Sequence, residues 1–87
     1  MLKLDYHDQA PDGPSLTDYD RRHIKLYMRL LDAERDGATW QEAAEVLFGI
    51  SVETDPERAR RIHESHLARA RWMTEHGYQQ LRRGLPH

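Results

Sequence analysis

Three arginines in one short stretch, Arg58, Arg60 and Arg61, are the residues best suited to recognition chemistry. A guanidinium group is planar and permanently charged. Its fork of N–H donors matches both a phosphate and the edge of a guanine base. A helix that carries these side chains on its exposed face could therefore contact DNA. Arginines on a solvated helix face show the same spacing, so the pattern leaves both interpretations open.

The segment in front of these arginines has the opposite charge. Residues 38–57 contain no Lys or Arg, and their acidic residues are Glu42, Glu45, Glu53, Asp55 and Glu57. A DNA-binding surface neutralises phosphates, so acids beside it lower its affinity. We predict that these five residues form an acidic face that opposes DNA binding. Asp55 and Glu57 also suit the first turn of a helix, where free amides favour negative charge.

The motif His63–Glu64–Ser65–His66 raises the question of metal chemistry. The zinc-protease motif needs two histidines four positions apart, whereas these are three apart and no third ligand is evident. The chain has no cysteine, which excludes disulfides and cysteine-based zinc sites. It also has no Gly-rich loop of the kind that holds phosphate groups. We therefore expect no catalytic residue, metal, cofactor or small-molecule ligand, and no enzyme activity.

The length of 87 residues allows one domain with a small core. The first residues contain no apolar run long enough for a signal peptide or a membrane span, which predicts a cytoplasmic protein without membrane contact. Polar and apolar residues alternate from Leu2 to His7, and the prolines of Pro11–Pro14 then interrupt the pattern. We interpret residues 1–15 as a flexible tail or short strand and residues 16–87 as a helix-turn-helix-like domain.

Start and stop signals predict three helices, Thr17–Gly37, Thr39–Gly49 and Asp55–Gly77. The first has an apolar stripe at helical spacing, formed by Ile24, Tyr27, Met28 and Leu31. The connection between the second and third helices is about twice the usual length for a helix-turn-helix. The fold class is therefore all-α: a small helical bundle, an extended-turn helix-turn-helix variant with a flexible N-terminal tail.

Several apolar residues lie outside the predicted stripes. Leu26 and Leu30 widen the apolar arc of the first helix, Trp72 lies off the stripe of the third, and Tyr78 follows it. Either other helices cover these side chains, or part of them contacts a partner. We predict Leu26, Leu30, Trp72 and Tyr78 as partner-binding residues, with ordinary core or cap positions as the alternative.

Several motifs together resemble a proteobacterial family of extended-turn helix-turn-helix proteins that was long known as a domain of unknown function. The motifs are Leu16–Thr17, Arg21–Arg22, Thr39–Glu45, Leu47–Gly49, the Arg-rich start of the third helix, and Gly77–Tyr78 with Leu81. In that family the domain often forms the C-terminal half of transcriptional activators that control transfer of integrative and conjugative elements. The resemblance implies a basic face that binds DNA and an opposite face that contacts the activator's N-terminal domain.

Two features are similar to the stand-alone antiactivators of this family, the QseM type: the sequence shows no activator domain, and the turn is acidic. That resemblance implies an antiactivator. It would capture the N-terminal domain of a transcriptional activator of the same family and block excision and transfer genes, without binding DNA. The first alternative is a small DNA-binding transcriptional regulator that uses Arg58, Arg60 and Arg61. A further alternative is an adaptor of the toxin–antitoxin or phage type.

Overall fold

The computed structural model describes residues 6–77, and the prediction for Tyr78 lies outside them. These residues form an all-α bundle without a strand. Its helices are α1 (Asp18–Arg22), α2 (Ile24–Arg35), α3 (Trp40–Phe48) and α4 (Pro56–Trp72), and α4 continues into a π-helical turn, Met73–Gly77. The all-α prediction is confirmed. None of the described helices is long and apolar enough to cross a bilayer.

The helix predicted from Thr17 is divided in two at His23. The ring Nδ1 of His23 donates to the carbonyl oxygen of Tyr19 at 2.8 Å, in place of the backbone amide that an α-helix would use. The amide of His23 bonds instead to Asp20, three residues back. Because the side chain occupies the acceptor, the helix breaks at His23 and restarts as α2.

Local caps fix the ends of the other helices where the sequence predicts them. Thr39 begins α3 with a capping box, in which Glu42 accepts from the Thr39 amide. The Asp55 carboxylate caps α4 by accepting from the amide of Arg58 at 3.4 Å. Gly49 ends α3 with φ +67°, a left-handed conformation that residues with a side chain rarely adopt.

Gly49→Ala should therefore lower the free energy of unfolding by about 1 kcal/mol, the cost of a left-handed backbone with a Cβ. No heavy atom would lie within 4 Å of that Cβ, so the loss is conformational and not steric. Urea unfolding measures it. Gly13→Ala is the matched control, because Gly13 has no positive φ and also has open space around it. An equal loss in both variants would contradict this explanation.

The core lies where α2 and α3 pack against α4. Its buried members are Leu26, Tyr27, Leu30, Ala44, Phe48, Ile50, Ala59, Ile62, Ala70 and Met73. The buried face of α2 is displaced from the predicted stripe, because Leu26 and Leu30 are 4% and 1% exposed whereas Met28 is 52% exposed. Two other helices cover this arc, as one of the two sequence interpretations required.

The connection from Gly49 to Asp55 has an ordered conformation. Ile50 is buried and Val52 packs against the core. The amide of Asp55 donates to the carbonyl oxygen of Ser51 at 3.2 Å, which closes the turn just before α4 begins. The longer connection thus adds apolar contacts and fixes the position of the α4 N-terminus.

Residues 6–10 lie against α3 and α4. The Tyr6 ring meets Phe48 edge-on at 5.0 Å, and its hydroxyl donates to the Phe48 carbonyl oxygen at 2.6 Å. The amide of Ala10 donates to Ser65 Oγ at 3.1 Å, and Ala10 is buried. The tail predicted for residues 1–15 therefore makes tertiary contacts in its described part, which contains no strand. For residues 1–5, outside the described range, it stays a prediction.

A buried ion pair connects α1 to α4. Arg69 donates from Nε and Nη2 to the two carboxylate oxygens of Asp20, at 3.0 and 2.7 Å. Its Nη1 and Nη2 also donate to the carbonyl oxygens of Gly13 and Ser15. Burial alone would raise the pKa of Asp20, but hydrogen bonds from Arg69, Thr17 and Tyr27 outweigh it and hold this pKa below its ordinary value. One guanidinium group thus fastens the N-terminal loop to two helices.

Candidate nucleic-acid interface

The first two turns of α4 present Arg58, Arg60 and Arg61 to solvent. Ala59 and Ile62 alternate with them and are fully buried, so the same helical period that packs the core turns the three arginines outward. The structure thus places all three side chains on one exposed segment of α4. Their role in binding depends on what neutralises each guanidinium group.

Asp8 neutralises Arg58. Its carboxylate accepts two hydrogen bonds, from Nε and Nη2 of Arg58, each at 3.0 Å. This fork geometry is the one that arginine also forms with a phosphate. The hydrogen bond from Arg58 holds the pKa of Asp8 below its ordinary value. A DNA phosphate that reached Arg58 would therefore replace a carboxylate.

Arg60 and Arg61 differ in their partners. Arg60 donates from Nε to Glu64 Oε1 at 2.8 Å, one turn further along α4, and both side chains stay mostly exposed. Such an exposed pair contributes little and exchanges readily. Arg61 forms no salt bridge with any residue in the described range. Its charge acts on Asp8 from a distance and helps to lower the pKa of that carboxyl. Arg61 is thus the most available of the three cations.

The five acids predicted to oppose DNA binding are all exposed. Two of them serve the helix ends, since Glu42 belongs to the capping box of α3 and Asp55 caps α4. Glu57 lies in the first turn of α4, where a negative charge is favourable. Glu45 and Glu53 have no such local role. Most of the acidic segment is thus explained by helix formation, and its opposition to DNA stays a prediction.

The predicted partner-binding residues lie apart. Leu26 and Leu30 belong to the core and expose almost no surface. Trp72 is half-buried beneath the guanidinium group of Arg69, whose carbon lies 3.8 Å from the ring centroid. Tyr78 is outside the described residues. The structure thus brings none of the described three to a common exposed surface, and their role toward a partner stays a prediction.

Both histidines of the His63–His66 motif are buried. His66 donates from Nδ1 to the carbonyl oxygen of Ile62 at 2.7 Å, and the Tyr19 hydroxyl donates to its Nε2 at 2.6 Å. Burial lowers the pKa of both rings, and Nδ1 of His63 has no hydrogen-bond partner in residues 6–77. Within the same range no three His, Asp or Glu side chains gather closely enough to hold a metal ion.

A comparison with protein families gives a match for this chain. The model of the RovC DNA-binding domain family, described as "T6SS, Transcription factor, DNA binding domain", matches residues 2–83. The chain belongs to this family. No curated protein matches the chain. The RovC DNA-binding domain family comprises domains of transcription factors and is not an enzyme family.

Membership in the RovC family corrects one prediction. The expectation that the chain does not bind DNA is wrong, because the match covers almost the whole chain and the family is one of DNA-binding domains. Three of the five acids in the segment 38–57 occupy favourable positions at helix starts, so helix formation accounts for them independently of DNA. The match supports a DNA-binding regulator. It shows neither an antiactivator of the QseM type nor a link to conjugative elements or quorum sensing.

Proposed function

We propose that this RovC-family domain binds double-stranded DNA as part of a transcriptional regulator, with the start of α4 as its recognition surface. Arg60 and Arg61 contact base edges in the major groove, and Arg58 contacts a phosphate. Membership in a DNA-binding family, combined with three exposed arginines in the first two turns of α4, carries the proposal. The family description also makes promoters of type VI secretion genes the first candidate targets.

The geometry around α4 supports this use of the helix. The N-terminal end of a recognition helix enters the groove, while the preceding helix supports it. Here α3 packs on α4, and the connection at residues 49–55 leaves the α4 N-terminus at the surface. Asp8 and Glu64 serve as internal counterions, which keep Arg58 and Arg60 extended until phosphates or bases replace them.

Binding should depend on individual arginines and on salt. The immobilised domain first selects binding sequences from a pool of random 30-base-pair duplexes. The selected sequence is then titrated with the domain by fluorescence anisotropy at several NaCl concentrations. Arg61→Ala should weaken binding about 10-fold or more, since a bidentate contact with guanine contributes about 1–3 kcal/mol. The slope of log K against log salt is negative, and Arg58→Ala should make it less steep by about 0.9, as the loss of one phosphate contact requires.

Arg35→Ala provides the matched control. It removes one exposed arginine of α2 that pairs with Asp32 and Asp36, so net charge changes equally. Its affinity should stay within about 2-fold of the parent protein, the range expected when no groove contact is lost. If no duplex is enriched, or if Arg35→Ala and Arg61→Ala lose the same affinity, α4 is not the recognition surface.

The antiactivator hypothesis now has less support than the DNA-binding alternative. It requires a free domain that avoids DNA, and the family match favours the opposite. Capture of a transcriptional activator of the same family stays a prediction. A pull-down of the activator's N-terminal domain with this chain tests it separately from the DNA titration.

A further inference from the structure

Two outward faces of the bundle each carry an exposed apolar side chain beside charged residues. The charges are positive on one face and negative on the other. Met28 on α2 is 52% exposed and Val46 on α3 is 80% exposed, and they are the exposed large hydrophobic residues of the described range. Single exposed apolar side chains are ordinary on a protein surface, so their exposure alone indicates nothing. Here each lies beside a charged row of its helix, Lys25 and Arg29 next to Met28 and Glu42 and Glu45 next to Val46. Asp32, which also borders Met28, pairs with Arg35.

The α2 face is basic. Lys25 and Arg29 are exposed and one helical turn apart, and Met28 lies on the adjoining row, one turn from Lys25. At the α1–α2 junction, Arg21 and Arg22 join Lys25 around an open cleft of about 520 Å³. Arg22, Lys25 and Arg29 form no salt bridge with any residue from 6 to 77. The face therefore presents a row of unneutralised positive charge beside an exposed apolar side chain.

The α3 face is acidic. Glu42 and Val46 lie one turn apart, and Gln41 and Glu45 form the adjoining row; all four are exposed. Residues 38–57 contain no basic residue that could neutralise this face from the same segment. Glu42 serves the capping box, whereas Glu45 has no helix-end role. Local structure therefore leaves the charge of Glu45 and the exposure of Val46 unexplained.

We propose that the basic face of α2 in one copy of this chain docks on the acidic face of α3 in a second copy. Met28 of one copy packs against Val46 of the other, and Lys25 and Arg29 face Glu42 and Glu45. In a two-fold arrangement, the contact from α2 of one copy to α3 of the other is made a second time in the reverse direction. The pairing accounts for both exposed hydrophobic side chains and for both charge blocks.

A second copy fits the α2 face better than DNA does. Phosphates would pair with Lys25 and Arg29, but they would leave Met28 exposed and give the α3 acids no partner. The acidic face of α3, on the same chain, has the charge that complements the basic face of α2. The proposal does not depend on DNA binding, and self-association is measured without DNA.

Sedimentation velocity of the whole chain from 5 to 500 µM, at 50 and 500 mM NaCl, tests the contact. A dimer should form reversibly, and 500 mM NaCl should weaken it at least about 5-fold because salt screens the charge pairs. Val46→Ser should weaken it about 5- to 10-fold at constant charge, as the loss of one buried apolar side chain implies. A parent protein that is monomeric at every concentration would overturn the proposal.

A charge exchange makes the test specific. Lys25→Glu/Arg29→Glu makes both faces acidic, and Gln41→Lys/Glu45→Lys makes both basic, so each variant alone should be monomeric. Mixed in equal amounts they should restore the dimer, because both contacts then join opposite charges. Circular dichroism confirms that each variant is folded. Arg61→Glu, an exposed position on α4 outside both faces, is the control and should leave the dimer of the parent protein intact.

The remaining outcomes are also decisive. Failure of the mixed variants to associate, or a dimer that neither double variant disturbs, would place the interface elsewhere. Larger assemblies that still follow the charge exchange would support the α2–α3 contact in a head-to-tail form without two-fold closure. A monomeric parent protein whose DNA binding is lost in Lys25→Glu/Arg29→Glu would identify α2 as a DNA surface and refute self-association.

Discussion

Replacement of Arg69 by methionine should lower the free energy of unfolding by about 3–5 kcal/mol, the range found when one partner of a buried ion pair is removed. Methionine keeps the aliphatic volume but leaves the buried carboxylate of Asp20 without its counterion. The carbonyl oxygens of Gly13 and Ser15 also lose their donor. Small domains are stable by only about 5–15 kcal/mol, so this single change removes a large share. Urea unfolding followed by circular dichroism measures it.

Arg71→Met is the matched control for this prediction. Arg71 lies two residues further along α4 and pairs with Glu34, but both side chains are about half exposed. An exposed pair contributes at most about 1 kcal/mol, so this variant should stay close to the parent protein. Adding Asp20→Asn to Arg69→Met should recover part of the loss, because it removes the uncompensated charge. Equal losses for Arg69→Met and Arg71→Met would show that the buried pair contributes no more than a surface pair.

Signals that act within one helical turn predict the ends of the helices. The capping box at Thr39, the Asp55 cap and the left-handed Gly49 each depend on residues three or four positions apart, and all three occur in the structure. The break at His23 was not predicted, although its cause is also local. A histidine ring rarely takes the place of the backbone amide, and the helical pattern of the sequence continues through His23 without a stop signal.

Long-range pairing explains what the sequence could not predict. Arg69 bonds to Asp20 across 49 residues, and Asp8 bonds to Arg58 across 50. A usable signal existed for Arg69. It lies seven residues after Ile62 and four before Met73, on the buried stripe of α4, and an arginine at a core position requires a buried acid. No comparable signal linked Asp8 to Arg58, because both side chains lie at the surface.

The sequence predicts which charged residues form the candidate site. It does not predict which of the acids serve a local role in helix formation. Arg58, Arg60 and Arg61 and the acids that precede them are evident in the sequence. Their charges alone favour the acids, which outnumber the three arginines. A count of charges treats every acid alike, whereas the structure distinguishes acids that cap helices from acids without a local role. That distinction requires knowledge of where each helix begins.

Acidification from pH 7 to pH 5 should destabilise the protein through His66, by at most about 2 kcal/mol, the limit set by an unfolded-state pKa of about 6.5. Burial lowers the pKa of His66 in the folded state, against an opposing hydrogen bond to the Ile62 carbonyl oxygen. Below about pH 6.5 the unfolded chain therefore binds a proton that the folded protein excludes. The contribution of neutral His66 to the free energy of unfolding is fully present above that pH and is lost as the pH falls below it. His63, whose pKa burial also lowers, changes stability in the same direction.

Proton NMR and urea unfolding together identify the group responsible. The Cε1 proton of His66 should show no titration midpoint at or above pH 6.5, because a second ring proton would displace the hydroxyl proton that Tyr19 donates to Nε2. His66→Gln should be less stable at pH 7 but should lose less stability than the parent protein between pH 7 and 5, by at most about 2 kcal/mol, since its side chain does not titrate. His63→Leu is the matched control. It removes a buried ring whose Nδ1 has no partner in the described residues, so it should keep the contribution of His66 while stability at pH 7 stays equal or rises. A parent protein equally stable at both pH values would show that His66 accepts its proton without loss of the buried network.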